Sequence, residues 1–202
     1  MTVSNASRPV RLLVISGSAR QGSINRQLLD VAARKAQVLG ATTTTVDLRD
    51  LDLPVYDEDW RAAHGQPAGA LSLRALFADH DGLLLASPEY NALPTPLLIN
   101  SLDWLSVIGA EDGLPSGTGS TAGKPVGLLS ASPGALGGIR ALPILRTFLS
   151  TNFGMHVVPE QLALPHADKH LGDLDALTTP QLDQVLDKVV ASVIRQAVWR
   201  LG

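Results

Sequence analysis

One stretch of the chain, residues 12–25, constrains the fold more than any other. It opens with an apolar run from Leu12 to Ile15, breaks into small polar residues, and then becomes helical. The helical part is marked by apolar residues that recur on one face, at Ile24, Leu28, Val31 and Ala32. This order predicts a buried strand, a loop, and a helix with Ser23 as its N-cap. A loop at a helix N-terminus has free backbone N–H groups and a positive dipole, so it favours an anion.

The side chains of this loop are also suited to an anion. Gly17 and Gly22 allow tight turns, and Arg20 supplies a planar cation that suits phosphate. Further hydrogen-bond donors are Ser18, Ser23 and Asn25. The glycine spacing matches neither a dinucleotide fingerprint nor a P-loop, which favours a single phosphate over two or three. A serine- and glycine-rich connection that binds nothing is the alternative.

Apolar runs alternate with helical patterns along the chain. Strands are predicted at residues 10–16, 41–48, 82–86, 125–130 and 155–158. Helices are predicted at residues 23–40, 68–78, 97–107 and 139–152, and from 179 onward. The alternation specifies an α/β fold, a doubly wound parallel sheet with helices on both faces, in one domain over residues 1–202. Residues 47–59 are predicted to be a solvated connection, and the Gly-, Ser- and Thr-rich residues 111–124 a mobile surface loop.

A second polar loop follows the third predicted strand. Pro88, Glu89, Tyr90 and Asn91 place a rigid residue, an aromatic ring and two polar groups in sequence. A planar heterocycle needs such a surface to stack on and such groups to read its polar edge. The alternative is a turn whose tyrosine only caps the core. In a doubly wound sheet, ligands bind beyond the carboxyl ends of the strands, where this loop would lie.

A third loop, rich in glycine, follows the fourth predicted strand. It runs from Ser132 through Gly134 and Gly137, and Arg140 comes just after it. Such a turn can approach a flat ligand closely, and the arginine can meet an anion. Glycines that merely make a tight turn are the equal alternative.

Composition excludes several classes of protein. The chain has no cysteine, which excludes disulfides, thiol catalysis and Cys-ligated metals, so redox chemistry must come from a bound cofactor. A net charge of −3 without a basic run argues against nucleic acid or an anionic membrane as a partner and favours a small molecule. The five histidines have no metal-binding spacing, and no nucleophile-elbow motif occurs. No signal-peptide core or membrane-length apolar run is present, so a cytoplasmic location is expected.

Taken together, the motifs resemble those of the NADPH-dependent FMN reductase family, flavodoxin-like proteins that include quinone, chromate and azo reductases. The resemblance covers about residues 10–160 and rests on G-S-x-R-x-x-S-x-N from Gly17 to Asn25, P-E-Y-N from Pro88 to Asn91, the run from Asn100 to Trp104, and Gly137-Gly138 with Arg140. It implies the strand order 2-1-3-4-5 and a bound FMN with its phosphate in the first loop. The implied cofactor-binding residues are Ser18, Arg20, Ser23, Ile24, Asn25, Pro88, Glu89, Tyr90, Asn91, Ser132, Gly134 and Gly137. No catalytic side chain and no metal ligand is expected.

The resemblance also implies an activity. NADPH or NADH would pass hydride to FMN, and two electrons would then leave to a quinone, free flavin or similar small-molecule acceptor by a ping-pong mechanism. Many family members have Gly-Ser after the P-E-Y-N motif, whereas this chain has Ala92-Leu93, which predicts a more apolar acceptor pocket. The alternatives are a non-enzymatic electron carrier of flavodoxin type and a binding module for another phosphorylated ligand.

The helix after the P-E-Y-N motif is apolar nearly all round. Its apolar residues are Leu97, Leu98, Ile99, Leu102, Trp104, Leu105, Val107 and Ile108. Because this exceeds one core-facing stripe, a second subunit is expected to cover part of it. The chain is therefore predicted to form a homodimer or homotetramer, as the family resemblance also implies.

Overall fold

A computed structural model of the protein describes residues 8–172 and 175–202. Its five strands are β1 (Arg11–Ser16), β2 (Thr42–Asp47), β3 (Gly82–Ala86), β4 (Pro125–Ala131) and β5 (His156–Leu164). They pair in parallel in the order β2-β1-β3-β4-β5. This confirms the predicted sheet and its order.

Helices cover both faces of the sheet. They are α1 (Ile24–Val38), α2 (Glu58–His64), α3 (Ala68–Asp79), α4 (Pro96–Ser106), α5 (Gly117–Thr121), α6 (Ala141–Phe153) and α7 (Pro180–Leu201). Successive strand residues point to opposite faces, so in β1 Leu12 and Val14 pack with α1 and α7, whereas Leu13 and Ile15 pack with α3, α4 and α6. The central strands are buried on both sides, which explains why their sequences are almost wholly apolar.

The segment 111–124 is not the mobile loop that its composition predicted. It contains the short helix α5, capped by Ser116, and buries Gly117, Ser120 and Thr121. A Cβ atom on Gly117 would lie 1.7 Å from the backbone oxygen of Leu105. The small residues therefore let the backbone of α5 pack directly on the end of α4, and the prediction of mobility was wrong for these residues.

The predicted solvated connection at 47–59 is also more structured than expected. It forms a 3-10 turn at Leu48–Leu51 and leads into α2. Its Pro54 oxygen accepts a hydrogen bond of 2.7 Å from Trp104 Nε1, and the rings of Tyr56 and Trp60 lie 5.0 and 5.6 Å from that indole. Trp104 is consequently 0% exposed. The expectation that a second subunit covers this part of the helix was wrong, because the chain covers it itself.

Strand β5 extends well beyond its predicted end at residue 158, to Leu164. The register slips between Val126 and Leu128 of β4, whose partners are Val157 and Gln161. Pro159 lies within this irregularity, where a proline is tolerated on an edge strand. Proline and polar residues interrupt the apolar pattern, which is why the second half of the strand was missed.

Candidate functional site

Three loops meet at the carboxyl edge of the sheet and enclose a cleft of about 210 Å³. We refer to residues 17–23 as the first loop, residues 88–93 as the tyrosine turn and residues 132–140 as the glycine turn. The cleft is lined by Ser18, Arg20, Ser23, Ile24, Asn25, Pro88, Glu89, Tyr90, Ala131, Ser132 and Pro133. The fold therefore brings residues from three separate sequence motifs to one place, at the switch point between β1 and β3.

The first loop presents backbone N–H groups to the cleft. Ser23 caps α1, and its Oγ accepts a 3.4 Å hydrogen bond from the Arg26 N–H. The N–H groups of Ile24 and Asn25 donate to no acceptor within the described ranges, as expected for the first turn of a helix. Together with the hydroxyls of Ser18 and Ser23, these groups form a donor set that suits a phosphate.

Arg20 is the cation that this loop offers. Its side chain is exposed, and its guanidinium makes a 3.4 Å hydrogen bond to the Gly22 oxygen. In contrast, Arg26 and Arg49 both contact the Asp47 carboxylate at 2.6 Å. Hydrogen bonds from Arg49, assisted by Arg26, hold the pKa of Asp47 well below its ordinary value despite partial burial. Of these three arginines, Arg20 is therefore the one whose charge no carboxylate of the described residues neutralises.

Asn25 is placed at the cleft, but its side chain is already used by the protein. The amide is buried, donates a 2.9 Å hydrogen bond to the Ala131 oxygen and accepts one of 2.9 Å from the Ala131 N–H. These bonds tie α1 to the end of β4. The backbone N–H of Asn25, rather than its amide, is free to meet an anion.

The tyrosine turn has an unusual backbone. Tyr90 and Leu93 exchange two backbone hydrogen bonds of 2.9 and 3.0 Å, and the residues between them, Asn91 and Ala92, have φ values of 55° and 68°. Positive φ at both central positions defines a type I′ turn. The Tyr90 side chain is 50% exposed, so it does not cap the core. Asn91 serves the turn and does not line the cleft.

Glu89 makes its strongest contacts with the protein itself. Its carboxylate accepts hydrogen bonds from the backbone N–H groups of Arg140 and Ala141, at 2.9 and 3.2 Å, and from Arg140 Nε at 2.6 Å. Burial works against the charged form, but these hydrogen bonds outweigh it and lower the pKa of Glu89. Arg140, which the sequence suggested would meet an anion, therefore meets the Glu89 carboxylate.

The glycine turn contributes Ser132 and Pro133 to the cleft, whereas Gly134 and Gly137 do not line it. Gly137 has a φ of 61°, and a Cβ atom there would lie 2.7 Å from the carbonyl carbon of Leu164. Its oxygen accepts a 2.7 Å hydrogen bond from Ser130 Oγ. For Gly137, close packing against the end of β5 accounts for the glycine.

Thr95 is a site-supporting residue that the sequence analysis did not identify. Its Oγ1 donates a 2.6 Å hydrogen bond to the Gly17 oxygen, and it caps α4, in which Pro96 is the first residue. A Cβ atom on Gly17 would lie 3.0 Å from this hydroxyl, so the first loop and α4 are in close contact. A threonine followed by proline at a helix start is a recognisable capping signal that could have revealed this role.

The strand order is that of a flavodoxin-like protein, and the first loop presents hydrogen-bond donors for an anion beside the cleft. These features define the class of flavodoxin-like mononucleotide-binding proteins. Within this class, residues 10–169 match the family model of the NADPH-dependent FMN reductases. The chain belongs to this family and is an oxidoreductase that uses FMN with NAD(P)H as electron donor. The donor set of the first loop fits the FMN phosphate.

Individual relatives agree with this assignment. The chain is 28% identical over 183 residues to a quinone reductase of Escherichia coli, which covers 90% of this chain and 88% of that protein. It is 33% identical over 129 residues to a 2-hydroxy-1,4-benzoquinone reductase of a Burkholderia species, a match that spans 63% of each chain. Among solved structures, the flavoenzyme NAD(P)H:(acceptor) oxidoreductase FerB of Paracoccus denitrificans superimposes with a TM-score of 0.76 at 25% identity, covering 96% of this chain and 99% of that one.

Within residues 8–172 and 175–202, no helix combines the length and the apolar character that crossing a bilayer requires. The same ranges contain no group of three or more His, Cys, Asp or Glu side chains placed to hold a metal ion.

Proposed function

We propose that this protein is an FMN-dependent NAD(P)H:quinone oxidoreductase that works by a ping-pong mechanism. The observation that carries the proposal is the juxtaposition, across one cleft, of the free N–H groups at the start of α1 with the half-exposed ring of Tyr90. The first supplies a phosphate anchor and the second supplies part of a surface for a flat ring. When bound, FMN supplies the hydride and electron chemistry.

The chain's own residues bind and orient in this proposal. The hydroxyls of Ser18 and Ser23, with the N–H groups of Ile24 and Asn25 and the guanidinium of Arg20, hold the phosphate dianion. The remainder of the cofactor lies between the tyrosine turn and the glycine turn. The carboxylate that lines the cleft, Glu89, is held in its charged form by Arg140 and is not placed to act as an acid.

A quinone is the proposed acceptor because relatives of the chain are named quinone reductases. We define the rim cluster as the exposed apolar side chains of the tyrosine turn, the glycine turn and the start of α6. Its members are Tyr90, Leu93, Leu136, Ile139 and Ile144, which are between 43% and 55% exposed.

Since one cleft must serve donor and acceptor in turn, double-reciprocal plots should be parallel. Intersecting lines, with both substrates bound together, would contradict the mechanism.

The decisive experiment measures FMN binding. Purified protein should show the visible flavin spectrum, and rapid NAD(P)H oxidation on addition of a quinone separates an enzyme from an electron carrier.

Arg20→Ala should weaken FMN binding by about ten- to a hundredfold, since a charge-assisted hydrogen bond is worth roughly 1.5–3 kcal/mol. Arg34→Ala, an exposed arginine further along α1, is the matched control. An unchanged dissociation constant in Arg20→Ala would remove Arg20 from the phosphate site.

We also propose that the chain forms a homodimer or homotetramer, acts in the cytoplasm and folds as one domain. Helix α4 no longer argues for the oligomer, since residues 48–64 cover much of it. The rim cluster supports it instead, because apolar side chains gathered on adjoining surface segments are typical of subunit contacts. Cell fractionation tests the location, and a single unfolding transition followed by two probes tests the single domain.

A further inference from the structure

We propose that Glu89 is a positioning residue, which with Arg140 clasps the tyrosine turn to the start of α6 and thereby sets the flavin affinity of the cleft. This inference rests on the proposed function. It assigns to Glu89 a role different from direct cofactor binding. We call the ion pair between these two side chains, together with the backbone bonds to the same carboxylate, the Glu89–Arg140 clasp.

The clasp joins two walls of the cleft that are far apart in sequence. Glu89 follows β3, whereas Arg140 and Ala141 open the helix that follows β4. Three donors converge on the one carboxylate: two backbone N–H groups at 2.9 and 3.2 Å, and Arg140 Nε at 2.6 Å. Arg140 Nη2 makes a further close contact with it. A carboxylate with this many charge-assisted partners has a fixed orientation.

The N-terminus of helix α6 is capped by Glu89, a residue that lies outside the helix and its flanking loop. Helices usually begin with Ser, Thr, Asp or Asn, whose side chain accepts from the first N–H groups. The residue at this position in α6 is Arg140, which provides no such side-chain bond. Glu89 takes the place of the missing cap, and its negative charge lies at the positive end of the helix dipole. The start of α6 is thus fixed by a residue of the tyrosine turn.

Burial and close packing make the contact specific. The Glu89 side chain is only 8% exposed, whereas Arg140 is 57% exposed. Gly138 has a φ of 86°, and a Cβ atom there would lie 3.6 Å from Glu89 Cβ. A side chain at position 138 would therefore touch Glu89, so the glycine turn lies close beside it. Because Pro88, Glu89 and Tyr90 line the cleft on one side and Ser132 and Pro133 on another, the clasp fixes the distance between these two walls.

The same contacts offset the negative charge of the Glu89 carboxylate. An uncompensated carboxylate in the cleft would repel a cofactor that carries a phosphate and gains negative charge on reduction. Arg140 and the α6 N-terminus offset that charge. Loss of either partner of the clasp should therefore weaken FMN binding, although neither is proposed to bind the phosphate.

The experiment is a double-mutant cycle read by FMN affinity. Glu89→Ala, Arg140→Ala and the double variant are titrated with FMN by fluorescence quenching, and the visible circular dichroism of the bound flavin is recorded. Each single variant should weaken binding by about tenfold, and the double variant should bind no more weakly than Glu89→Ala, because both changes break one clasp. Glu89→Gln and Arg140→Lys, which retain hydrogen bonds, should recover part of the affinity and of the dichroism. If Glu89→Ala does not fold, Arg140→Ala compared with Arg140→Lys still tests the clasp, since the Arg140 side chain is exposed.

The matched control is Glu58→Ala, which breaks an exposed carboxylate–arginine pair with Arg61 within α2. It should leave FMN affinity and the flavin dichroism unchanged. Additive losses in the cycle would overturn the inference, as would variants that melt at lower temperature but bind FMN with unchanged affinity and dichroism. A wild-type protein that binds no FMN would instead contradict the proposed function, so the two failures are distinguishable.

Discussion

Ala92 adopts a backbone conformation that L-amino acids other than Asn and Asp rarely occupy. Its φ of 68° is imposed by the type I′ turn, whose second central position usually carries glycine. The left-handed conformation costs roughly 1–2 kcal/mol for a residue with a Cβ atom, and the greater flexibility of glycine in the unfolded chain offsets part of that. Ala92→Gly should therefore raise the free energy of unfolding by about 0.5–1 kcal/mol, as measured by urea denaturation.

Ala110→Gly is the control for that substitution. Ala110 is exposed and has no positive φ, so its replacement should lower stability slightly through unfolded-state entropy alone. Equal effects of the two substitutions would show that the turn does not strain Ala92.

Single residues also show how far the sequence reveals the site. The N-cap role of Ser23 followed from its type and position, and the structure confirms it. The intramolecular partners of Asn25 and Glu89 did not follow, because each is bonded to a residue more than fifty positions away. Sequence motifs identify polar residues at a strand end, but only the tertiary structure shows whether their side chains are already occupied by the protein.

The contact between α1 and β4 depends on one side chain. Asn25→Ala would leave the buried N–H and C=O groups of Ala131 without partners, and each unsatisfied group costs about 1–3 kcal/mol. The free energy of unfolding should fall by about 2–4 kcal/mol in urea denaturation. Asn152→Ala is the comparison, since that exposed amide donates to the Phe148 oxygen within α6 and its loss should cost less than about 0.5 kcal/mol. A loss below about 1 kcal/mol in Asn25→Ala would contradict this role.

Strand β4 begins with a second long-range contact, at the opposite edge of the sheet. The buried Lys124 amino group donates to the backbone oxygens of Phe77 and His80 at the C-terminus of α3. Burial lowers the pKa of Lys124 to about 8 from an ordinary value of 10.5. Between these values the unfolded chain binds more protons than the folded one, so the free energy of unfolding rises with pH. The gain disappears over the same range as the pH falls, and none is left once the pH is below about 8.

Lys124→Met lacks this titration. The stability of the wild type relative to Lys124→Met should therefore increase by about 2 kcal/mol between about pH 7 and about pH 10, measured by urea denaturation at each pH. Lys188→Met, at an exposed position of α7, tests whether the change belongs to the buried amino group. A stability difference that does not vary with pH would contradict the effect of burial on Lys124.

Among the helices and strands, periodic apolar segments were predicted well and small-residue segments were not. Strand β3 was placed correctly at both ends, and α3 within one residue, because their apolar patterns are continuous. Helix α5 was missed because glycine, serine and threonine resemble a loop in sequence, whereas here they permit the contact between Gly117 and Leu105. Helix α2 was missed because it is stabilised by packing on α4 through Trp60 and Trp104, a tertiary contact that the local sequence pattern does not indicate.

For the assembled protein, light scattering should give about two or four times the chain mass of 21.3 kDa. The rim cluster is the proposed contact, so Ile144→Glu, which places a charge in it, should shift the mass toward the monomer. Val55→Glu alters an apolar side chain that is 83% exposed and lies outside the cluster, and it should leave the mass unchanged. A monomer mass for the FMN-bound wild type at micromolar concentration would contradict the proposal.

The hydrogen bonds that hold the cleft in shape are completed by the protein alone. Asn25 satisfies both backbone groups of Ala131, and Glu89 satisfies the backbone N–H groups at the start of α6. Release of the flavin would leave these bonds intact, so the emptied protein is expected to keep its binding geometry instead of collapsing. Such a scaffold suits reconstitution: FMN could be stripped off under mild conditions and replaced by a flavin of altered redox potential, giving control over which acceptors the protein reduces.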